Sequence, residues 1–213
     1  MYVTYDDFND NSFDTNKWVY YKVTDIELYE RNQRLEFVWT GGTGGAGNNV
    51  KSTKVFDLRA DKEYEISVTV IECGTGASLI ALVNEKNYYS IGLSREGELG
   101  VSVVVDGNYY PLKSMVVEKT SGRLTIGVSN SEVYFKFDGD EVYRETYRLP
   151  SRSVNIMLNC MVSNTEPLAA FDDVGYTIAT EAQIMQTILS LIPFFILMII
   201  LTMFSSLVRT LMK

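Results

Sequence analysis

Carboxylates are the residues of this chain with the clearest capacity for chemistry, because the sequence has no histidine and two cysteines. Without histidine, Ser-His and Cys-His catalysis and histidine-ligated metal sites are excluded. Hydrolysis of a glycosidic bond needs two carboxylates, about 5–5.5 Å apart when the enzyme retains configuration. Glu63 with Glu65, and Glu141 with Glu145, come nearest to such a spacing. Their settings favour solvated charges on ordinary strands, so neither pair predicts a catalytic site.

Aromatic side chains form a second group of interest, with 14 Tyr, 10 Phe and 2 Trp. Flat aromatic faces with amides at their edges suit the binding of sugar rings. The candidates for such a surface are Trp39, Asn87, Tyr88, Tyr109, Tyr110, Asn155 and Asn159. Tyrosine and tryptophan are also common in strands and cores, so packing is the alternative role for each of them.

Charge and cysteine content exclude other classes of partner. The net charge of −8 makes nucleic acid an unexpected partner, because phosphate backbones would be repelled. Zinc wants about four ligands, more than two cysteines supply. Cys73 and Cys160 either form a disulfide in an oxidising compartment or remain two separate core thiols. The glycine-rich run at residues 41–49 lacks the Lys-Ser/Thr and helix of a phosphate-binding loop, which favours a simple connection between strands.

Short apolar rows separated by turn signals cover most of the chain. Apolar and polar residues alternate along residues 62–71, which predicts a half-buried strand. Similar rows occupy residues 99–105, 124–128, 133–137 and 154–162. Turn dipeptides such as Asp106-Gly107 recur at a spacing of ~8–12 residues. The pattern predicts an all-β fold, a two-sheet antiparallel jelly-roll sandwich over residues 1–180.

A long apolar run follows this region. Residues 187–208 (TILSLIPFFILMIILTMFSSLV) contain no charge, and about 22 helical residues span roughly 33 Å, enough to cross a bilayer core of about 30 Å. We predict a single transmembrane helix there, with a linker at 181–186 and a basic tail at 209–213. The residues expected in the lipid bilayer include Ile188, Leu191, Pro193, Phe194, Phe195, Ile199, Leu201 and Phe204. Because the tail is basic, the positive-inside rule favours a domain on the outer face of a cell or virion. The alternative is a domain in the cytosol, where a lone C-terminal anchor usually leaves the chain that precedes it.

Three stretches of the sequence resemble one family. The segment YDDFNDNSFDTNKW at residues 5–18 resembles the first strand and turn of concanavalin A-like lectin/glucanase domains. Residues 87–93, followed by 97–107, resemble the paired central strands of their laminin G-like branch, and residues 170–176 are similar to the final strand. The resemblance covers residues 2–178. It implies a jelly roll of two curved antiparallel sheets, commonly with a glycan-binding concave face.

The resemblance also bears on function. Enzymes of this superfamily carry a Glu-x-Asp-x-x-Glu pattern on one strand, and the sequence has no such pattern. We therefore expect no enzyme, but a membrane-anchored surface module that binds glycans. The alternative is a structural membrane protein of a virion envelope or surface assembly, which would use the jelly roll for contacts within a homo-oligomer or with assembly partners.

A metal site follows from the same resemblance, which implies that the first and last strands pair. Asp6 and Asp7 would then approach Asp172 and Asp173. Converging carboxylates favour a cation, and Ca²⁺ takes six to eight oxygen ligands. We expect Ca²⁺ at this place and no other cofactor. The alternative is that one aspartate of each pair faces solvent and caps a turn.

Overall fold

The computed structural model describes residues 1–22, 26–41, 48–160 and 169–180, together with residue 185. The chain divides into two units, Met1–Ile178 and Ala179–Lys213. The predicted membrane segment at residues 187–208 and the basic tail lie outside the described residues. Within the described ranges, no helix is long and apolar enough to cross a membrane.

The described part of the first unit is built from β-strands, as the alternating apolar rows predicted. In chain order the strands are β1 (Tyr2–Asp6), β2 (Trp18–Tyr21), β3 (Ile26–Arg31), β4 (Arg34–Trp39), β5 (Asn48–Asp57), β6 (Glu63–Cys73), β7 (Gly76–Asn84), β8 (Asn87–Ser94), β9 (Glu98–Val105), β10 (Asn108–Val116), β11 (Gly122–Ser129), β12 (Glu132–Phe137), β13 (Asp140–Thr146), β14 (Ser153–Cys160) and β15 (Ala169–Ile178).

These strands form two antiparallel sheets. Sheet A has the order β13-β12-β11-β6-β15-β4-β3, and β1 also pairs with β15. Sheet B has the order β10-β9-β8-β7-β14-β5-β2. Tyr2 lies opposite Thr177, so the first strand pairs with the last, as the resemblance implied. The predicted two-sheet antiparallel sandwich is confirmed.

The core lies between the sheets and is filled by alternate residues of strands such as β8 and β14. In β14 the inward residues Val154, Ile156 and Leu158 are fully or almost fully buried. Successive side chains of a strand point to opposite faces, so burial of one row forces the intervening row outward. Each fully buried aliphatic side chain contributes about 1.5–3 kcal/mol relative to exposure. This alternation determines which residues the outer faces can present to a ligand.

Both cysteines are buried free thiols. Cys73 belongs to β6 of sheet A, and its Sγ donates to the carbonyl oxygen of Leu93 at 3.0 Å. Cys160 ends β14 in sheet B. Burial raises the pKa of Cys73 to about 11 and that of Cys160 to about 12. Both therefore stay protonated at neutral pH, where the thiol is a poor nucleophile. Of the two roles considered for them, the structure shows separate core thiols.

Glu30 of β3 is a buried acid, with 8% of its surface exposed. Its Oε1 accepts a hydrogen bond from the Ser12 amide at 3.2 Å. Burial, followed by a hydrogen bond with the Asp10 carboxyl, raises the pKa of Glu30 to about 7. The folded protein therefore binds more protons than the unfolded chain between about pH 4.5 and about pH 7. The contribution of Glu30 to stability must fall as pH rises through this window.

We expect Glu30→Gln to be more stable than the wild type at about pH 8, with the difference shrinking towards about pH 4.5. Glutamine keeps the shape of the protonated acid and removes the cost of a buried charge. Urea denaturation at both pH values measures the free energy of unfolding. Glu85→Gln, at an exposed turn, removes the same charge as a control. A gain in stability that does not change with pH would contradict the assignment.

Candidate functional site

The outer face of sheet A is occupied by its own paired side chains. Tyr134 lies across Gly127, where a Cβ atom would overlap the tyrosine ring. Glu65 Oε1 accepts hydrogen bonds from Tyr134 Oη at 3.0 Å and from Lys136 Nζ at 2.6 Å. The donors and acceptors of this network satisfy one another, so this part of sheet A leaves few groups free for a ligand.

The outer face of sheet B differs, because its outward residues form three rows across the strands. The first row is Tyr109, Val104, Tyr88, Leu82, Asn155 and Val55. The second is Pro111, Ser102, Ser90, Ile80, Met157, Lys51 and Val19. The third is Ser114, Gly100, Gly92, Ser78, Asn159, Asn49 and Tyr21. Directly opposed residues on one face lie about 4.5–5.5 Å apart, so each row is a continuous surface.

An open cleft of about 320 Å³ lies on this face over β7, β8, β9 and β10. Gly92 and Gly100 line it and lie directly opposite each other on β8 and β9. A Cβ on Gly92 would approach Ser78 Oγ to 2.6 Å, whereas a Cβ on Gly100 would meet no atom within 4 Å. The cleft therefore exists because two paired strands place glycine at the same point.

Hydroxyl groups and one carboxylate lie around this glycine pair. The polar residues that line the cleft are Ser78, Ser90, Ser94, Ser102, Ser114, Tyr109, Glu98 and Lys113. Lys113 lies opposite Val101, which faces the core, so its side chain is not assigned to the cleft. Ser94 Oγ accepts a hydrogen bond from the Glu98 amide at 3.1 Å. Each serine hydroxyl can donate one hydrogen bond and accept others. The lining can therefore hydrogen-bond a ligand rich in hydroxyl groups.

Two tyrosines stand beside the cleft. Tyr88 and Tyr109 both lie opposite Val104, on its two neighbouring strands. Tyr109 is 64% exposed and lines the cleft. Burial raises the pKa of Tyr88, and the nearby phenol of Tyr109 raises it further. The two rings thus lie near each other and provide an apolar wall next to the hydroxyl groups.

The structure brings four of the seven predicted sugar-binding residues to the outer face of sheet B. They are Tyr88, Tyr109, Asn155 and Asn159. Asn155 has a structural role there, because its Nδ2 donates to the carbonyl oxygens of Ser52 (2.9 Å) and Lys54 (3.1 Å). These bonds hold the irregular pairing of β5 with β14.

The other three predicted residues lie elsewhere. Trp39 ends β4 in sheet A and packs against the core. Asn87 is buried and joins two turns, since its Oδ1 accepts from the Asp106 amide at 3.1 Å and its Nδ2 donates to Asn84 Oδ1 at 3.1 Å. Tyr110 lies opposite Val103, which faces the core. The structure does not bring Trp39, Asn87 or Tyr110 to the cleft.

Sequence reasoning did not identify the serines, the glycine pair or Glu98. A signal was present, because Ser90, Gly92 and Ser94 alternate with larger residues along β8. Gly100 and Ser102 do the same on β9. Small outward residues at matching places on consecutive strands indicate a hollow in a sheet surface. Finding it required the register between the strands.

The carboxylate pairs considered for catalysis are engaged in ion pairs. Glu63, Glu65, Glu141 and Glu145 each contact a cation, namely Lys54, Lys136, Arg144 and Arg148 respectively. The interpretation of Glu145 as a solvated charge was wrong, because 6% of its side chain is exposed. Burial raises its pKa, partly offset by Arg148.

The aspartates on β1 and after it have partners within the protein. Asp6 Oδ2 accepts a hydrogen bond from Trp18 Nε1 at 2.7 Å, and Asp6 Oδ1 lies 3.3 Å from Lys17 Nζ. Asp7 accepts from the Asn9 amide in a turn, and hydrogen bonds from Asn9 hold its pKa below the usual range. Asp7 thus matches the alternative of a turn-capping aspartate.

The aspartates of β15 are likewise engaged. Asp172 Oδ1 accepts from the Asp173 amide at 2.7 Å, and burial raises the pKa of Asp172. Asp173 Oδ2 lies 3.9 Å from Arg123. Among the residues that the structure describes, no group of three or more His, Cys, Asp or Glu could hold a metal ion. The four aspartates do not fit the shared site that was expected, and Ca²⁺ binding stays a prediction.

Comparison with known proteins supports the fold. No protein-family model matches the sequence, and no curated protein matches it. A laminarinase from Flavobacterium has a TM-score of 0.62 and 14% identity, over 84% of this chain and 100% of that chain. A Bacillus licheniformis β-glucanase has a TM-score of 0.61 and 12% identity, over 83% and 97% of the chains. A β-1,3-1,4-glucanase (lichenase) derived from a mouse hindgut metagenome has a TM-score of 0.57 and 15% identity, over 81% and 97%. Likenesses at such low identity show that this chain shares the jelly-roll fold of these proteins.

These matches contradict the expectation that the chain is not an enzyme. The solved structures that share its fold include two β-glucanases and a laminarinase, so the fold gives no ground for excluding an enzyme. The expectation relied on one strand pattern and on the absence of histidine. Glycoside hydrolysis needs two carboxylates at a set separation, and neither histidine nor a single strand is required to supply them.

The two outward asparagines of β14 provide a test of structural against ligand-binding roles. We expect Asn155→Ala to lower the free energy of unfolding by about 1–3 kcal/mol, because it leaves two carbonyl oxygens without their donors. Asn159→Ala is the matched control, since Asn159 Oδ1 is buried and has no hydrogen-bond partner among the residues that the structure describes. Chemical denaturation measures both values. Equal losses in the two variants would show that Asn155 does not hold the strand pairing.

Proposed function

We propose that the jelly roll of residues 1–178 binds a glycan in the cleft on the outer face of sheet B. The observation that carries this proposal is the combination of open space above Gly100 with an exposed aromatic ring and a row of serine hydroxyls. Gly92 and Gly100 let a ligand approach the backbone, and Tyr109 offers a flat apolar face beside it. A sugar ring needs both kinds of surface, since one side of it is apolar and its edge is hydroxylated.

The fold agrees with this proposal. The structurally similar laminarinase and β-glucanases are named for action on glucans. The net charge of −8 gives no long-range attraction to a polyanion such as nucleic acid. It therefore agrees with a ligand that is uncharged or is recognised through short-range contacts. The probes suggested by these names are laminarin and a β-1,3-1,4-glucan.

Hydrolysis of the bound glycan is a second candidate function, favoured by the same structural neighbours. Glu98 is the carboxylate among the described residues that line the cleft. It is therefore the candidate for one of the two carboxylates that hydrolysis requires, and the described residues that line the cleft supply no second one. Under this function the wild-type protein releases reducing ends from laminarin, and Glu98→Gln lowers the rate by about 10²–10⁴-fold. Release at equal rates from both proteins, or from neither, would contradict it.

We also propose that the domain is held at a membrane by residues 187–208, as a single-pass C-terminal anchor, on the outer face of a cell or virion. The uncharged length of that run and the basic tail support this placement. Protease protection of residues 1–180 in intact membranes tests it. A protein that stays soluble without detergent or lipid would contradict the anchor.

Filling the cleft tests the binding site directly. We expect Gly100→Leu to weaken laminarin binding by at least about tenfold, or about 1.4 kcal/mol, because the new side chain occupies the open space above β9. Its stability should be unchanged or higher, since a Cβ at this position meets no atom within 4 Å and glycine is a poor strand residue. Calorimetry on the full-length protein, in a detergent without a sugar headgroup, measures both effects.

The matched control is Thr4→Leu, which adds bulk at an exposed position of sheet A. It should leave binding unchanged. Wild-type affinity for laminarin in Gly100→Leu would place the ligand elsewhere. If the wild type binds no glycan but forms a stable oligomer, the structural role in an envelope or surface assembly replaces the proposal.

A further inference from the structure

The β1–β2 loop (residues 7–17) connects sheet A to sheet B, and its second half is fixed by backbone hydrogen bonds. The carbonyl oxygen of Asp14 accepts from the amides of Lys17 at 3.0 Å and Trp18 at 2.9 Å. The amide of Thr53 in β5 donates to the carbonyl oxygen of Lys17 at 2.7 Å. These bonds join main-chain atoms, so they do not depend on the ionisation of a side chain.

The first half of the loop is attached to a different place, the hairpin of β3 and β4. The Ser12 amide donates to Glu30 Oε1 at 3.2 Å. The amide of Gln33, in the turn of the hairpin, donates to Asn11 Oδ1 at 3.3 Å. Residues 9–12 are exposed, so burial contributes little to their attachment and these hydrogen bonds matter more.

The Ser12 amide has two carboxyl groups as acceptors. Besides Glu30 Oε1, it donates to Asp10 Oδ1 at 3.0 Å. Two carboxylates that share one donor repel each other when both are ionised, so one of them favours its protonated form. A proton on Glu30 removes the repulsion and provides a hydrogen-bond donor towards Asp10. The docked position of the loop therefore needs that proton.

The charges on the loop side of Glu30 do not replace the proton. Asp6 of β1 is a further acid whose charge acts on Glu30, and it is buried, with 7% of its surface exposed. Lys17 lies 3.3 Å from Asp6 and so offsets that acid. Among the residues that the structure describes, neither Glu30 nor Asp10 forms an ion pair.

The charges of the hairpin face the other way. Arg31 and Arg34 both pair with Glu36, at 2.5 and 2.6 Å. Glu30 lies opposite Leu35 in β4, and successive side chains of a strand point to opposite faces, so Glu36 lies on the other face. The two arginines therefore neutralise Glu36 and leave Glu30 dependent on its proton.

We propose that residues 9–13 form a pH-sensitive latch, which is docked on the β3–β4 hairpin while Glu30 holds a proton and is released when Glu30 loses it. Release breaks the bonds of Ser12 and Gln33 and leaves those of Asp14 and Thr53 in place. The latch is independent of the proposed glycan binding, because the cleft lies on β7, β8, β9 and β10.

The direction of the pH dependence follows from the two positions of the loop. Burial and the Asp10 carboxyl raise the pKa of Glu30 to about 7 in the docked position. Release exposes Glu30 and returns its pKa towards the ordinary value of 4.5. Docking thus binds a proton and is favoured fully below about pH 4.5. As pH rises to about 7, the docking equilibrium constant falls by about 10²-fold.

Backbone ¹⁵N relaxation on the full-length protein in detergent tests the latch, because it measures the mobility of each amide independently of its exchange with water. Rigid amides have order parameters of about 0.85 and flexible ones less than about 0.6. In the wild type we expect Asn11 and Ser12 to be rigid at about pH 5.5 and flexible at about pH 8.5. Lys17 and Trp18 should be rigid at both pH values, as an internal control.

Two substitutions should keep the latch docked at about pH 8.5. Glu30→Gln leaves a neutral side chain that can still accept from Ser12 and can donate to Asp10. Asp10→Asn, at an exposed position, removes the second carboxylate and provides a donor to Glu30. Glu27→Gln is the matched control, because it removes the same charge from β3 at a side chain that is 45% exposed. Its loop should respond to pH as in the wild type.

An equal order parameter for Ser12 at the two pH values in the wild type overturns the latch, whether the amide is rigid or flexible at both. A loop that still becomes flexible at about pH 8.5 in both Glu30→Gln and Asp10→Asn also overturns it, since the response would then come from another group. Loss of the response in Glu27→Gln would likewise contradict the assignment to Glu30.

Discussion

The burial of one apolar row per strand between two sheets is the constraint on which the rest of this structure depends. In β8 the buried residues Tyr89, Ile91 and Leu93 face the core. Ser90 and Gly92 must then face outward, since side chains alternate along a strand. The cleft is thus a consequence of core packing in combination with small outward residues. Its position is as firmly determined as the core itself.

Both outer faces have glycines on their strands, but the two faces differ in whether another side chain fills the space above the glycine. On sheet A, Tyr134 covers Gly127 and shares Glu65 with Lys136, so the space above a glycine is filled from within. On sheet B, Gly100 has open space above it. Among the described residues, the part of sheet A around Gly127 is therefore filled by its own side chains, whereas the cleft of sheet B is open to a ligand. This contrast supports placing function on sheet B.

The alternation of apolar and polar residues was sufficient to predict the strands, but it was not sufficient to predict the site. Alternation predicted the strand at residues 62–71 and the inward row of β14, because burial has a period of two. It could not show that β4 joins sheet A, which removes Trp39 from the cleft. That depends on pairing between distant segments. Nor could it show that Asp6 is engaged by Trp18, since contacts between side chains follow only from the assembled turn.

The central claim, that a glycan lies over the glycine pair of sheet B, is tested most directly by NMR on the protein labelled with ¹⁵N-glycine. A laminarin oligosaccharide should shift the amide signals of Gly92 and Gly100, which line the cleft. The signals of Gly127 and Gly175, on sheet A, should stay in place. Shifts confined to the glycines of sheet A, or binding without any shift at Gly92 and Gly100, would contradict the account.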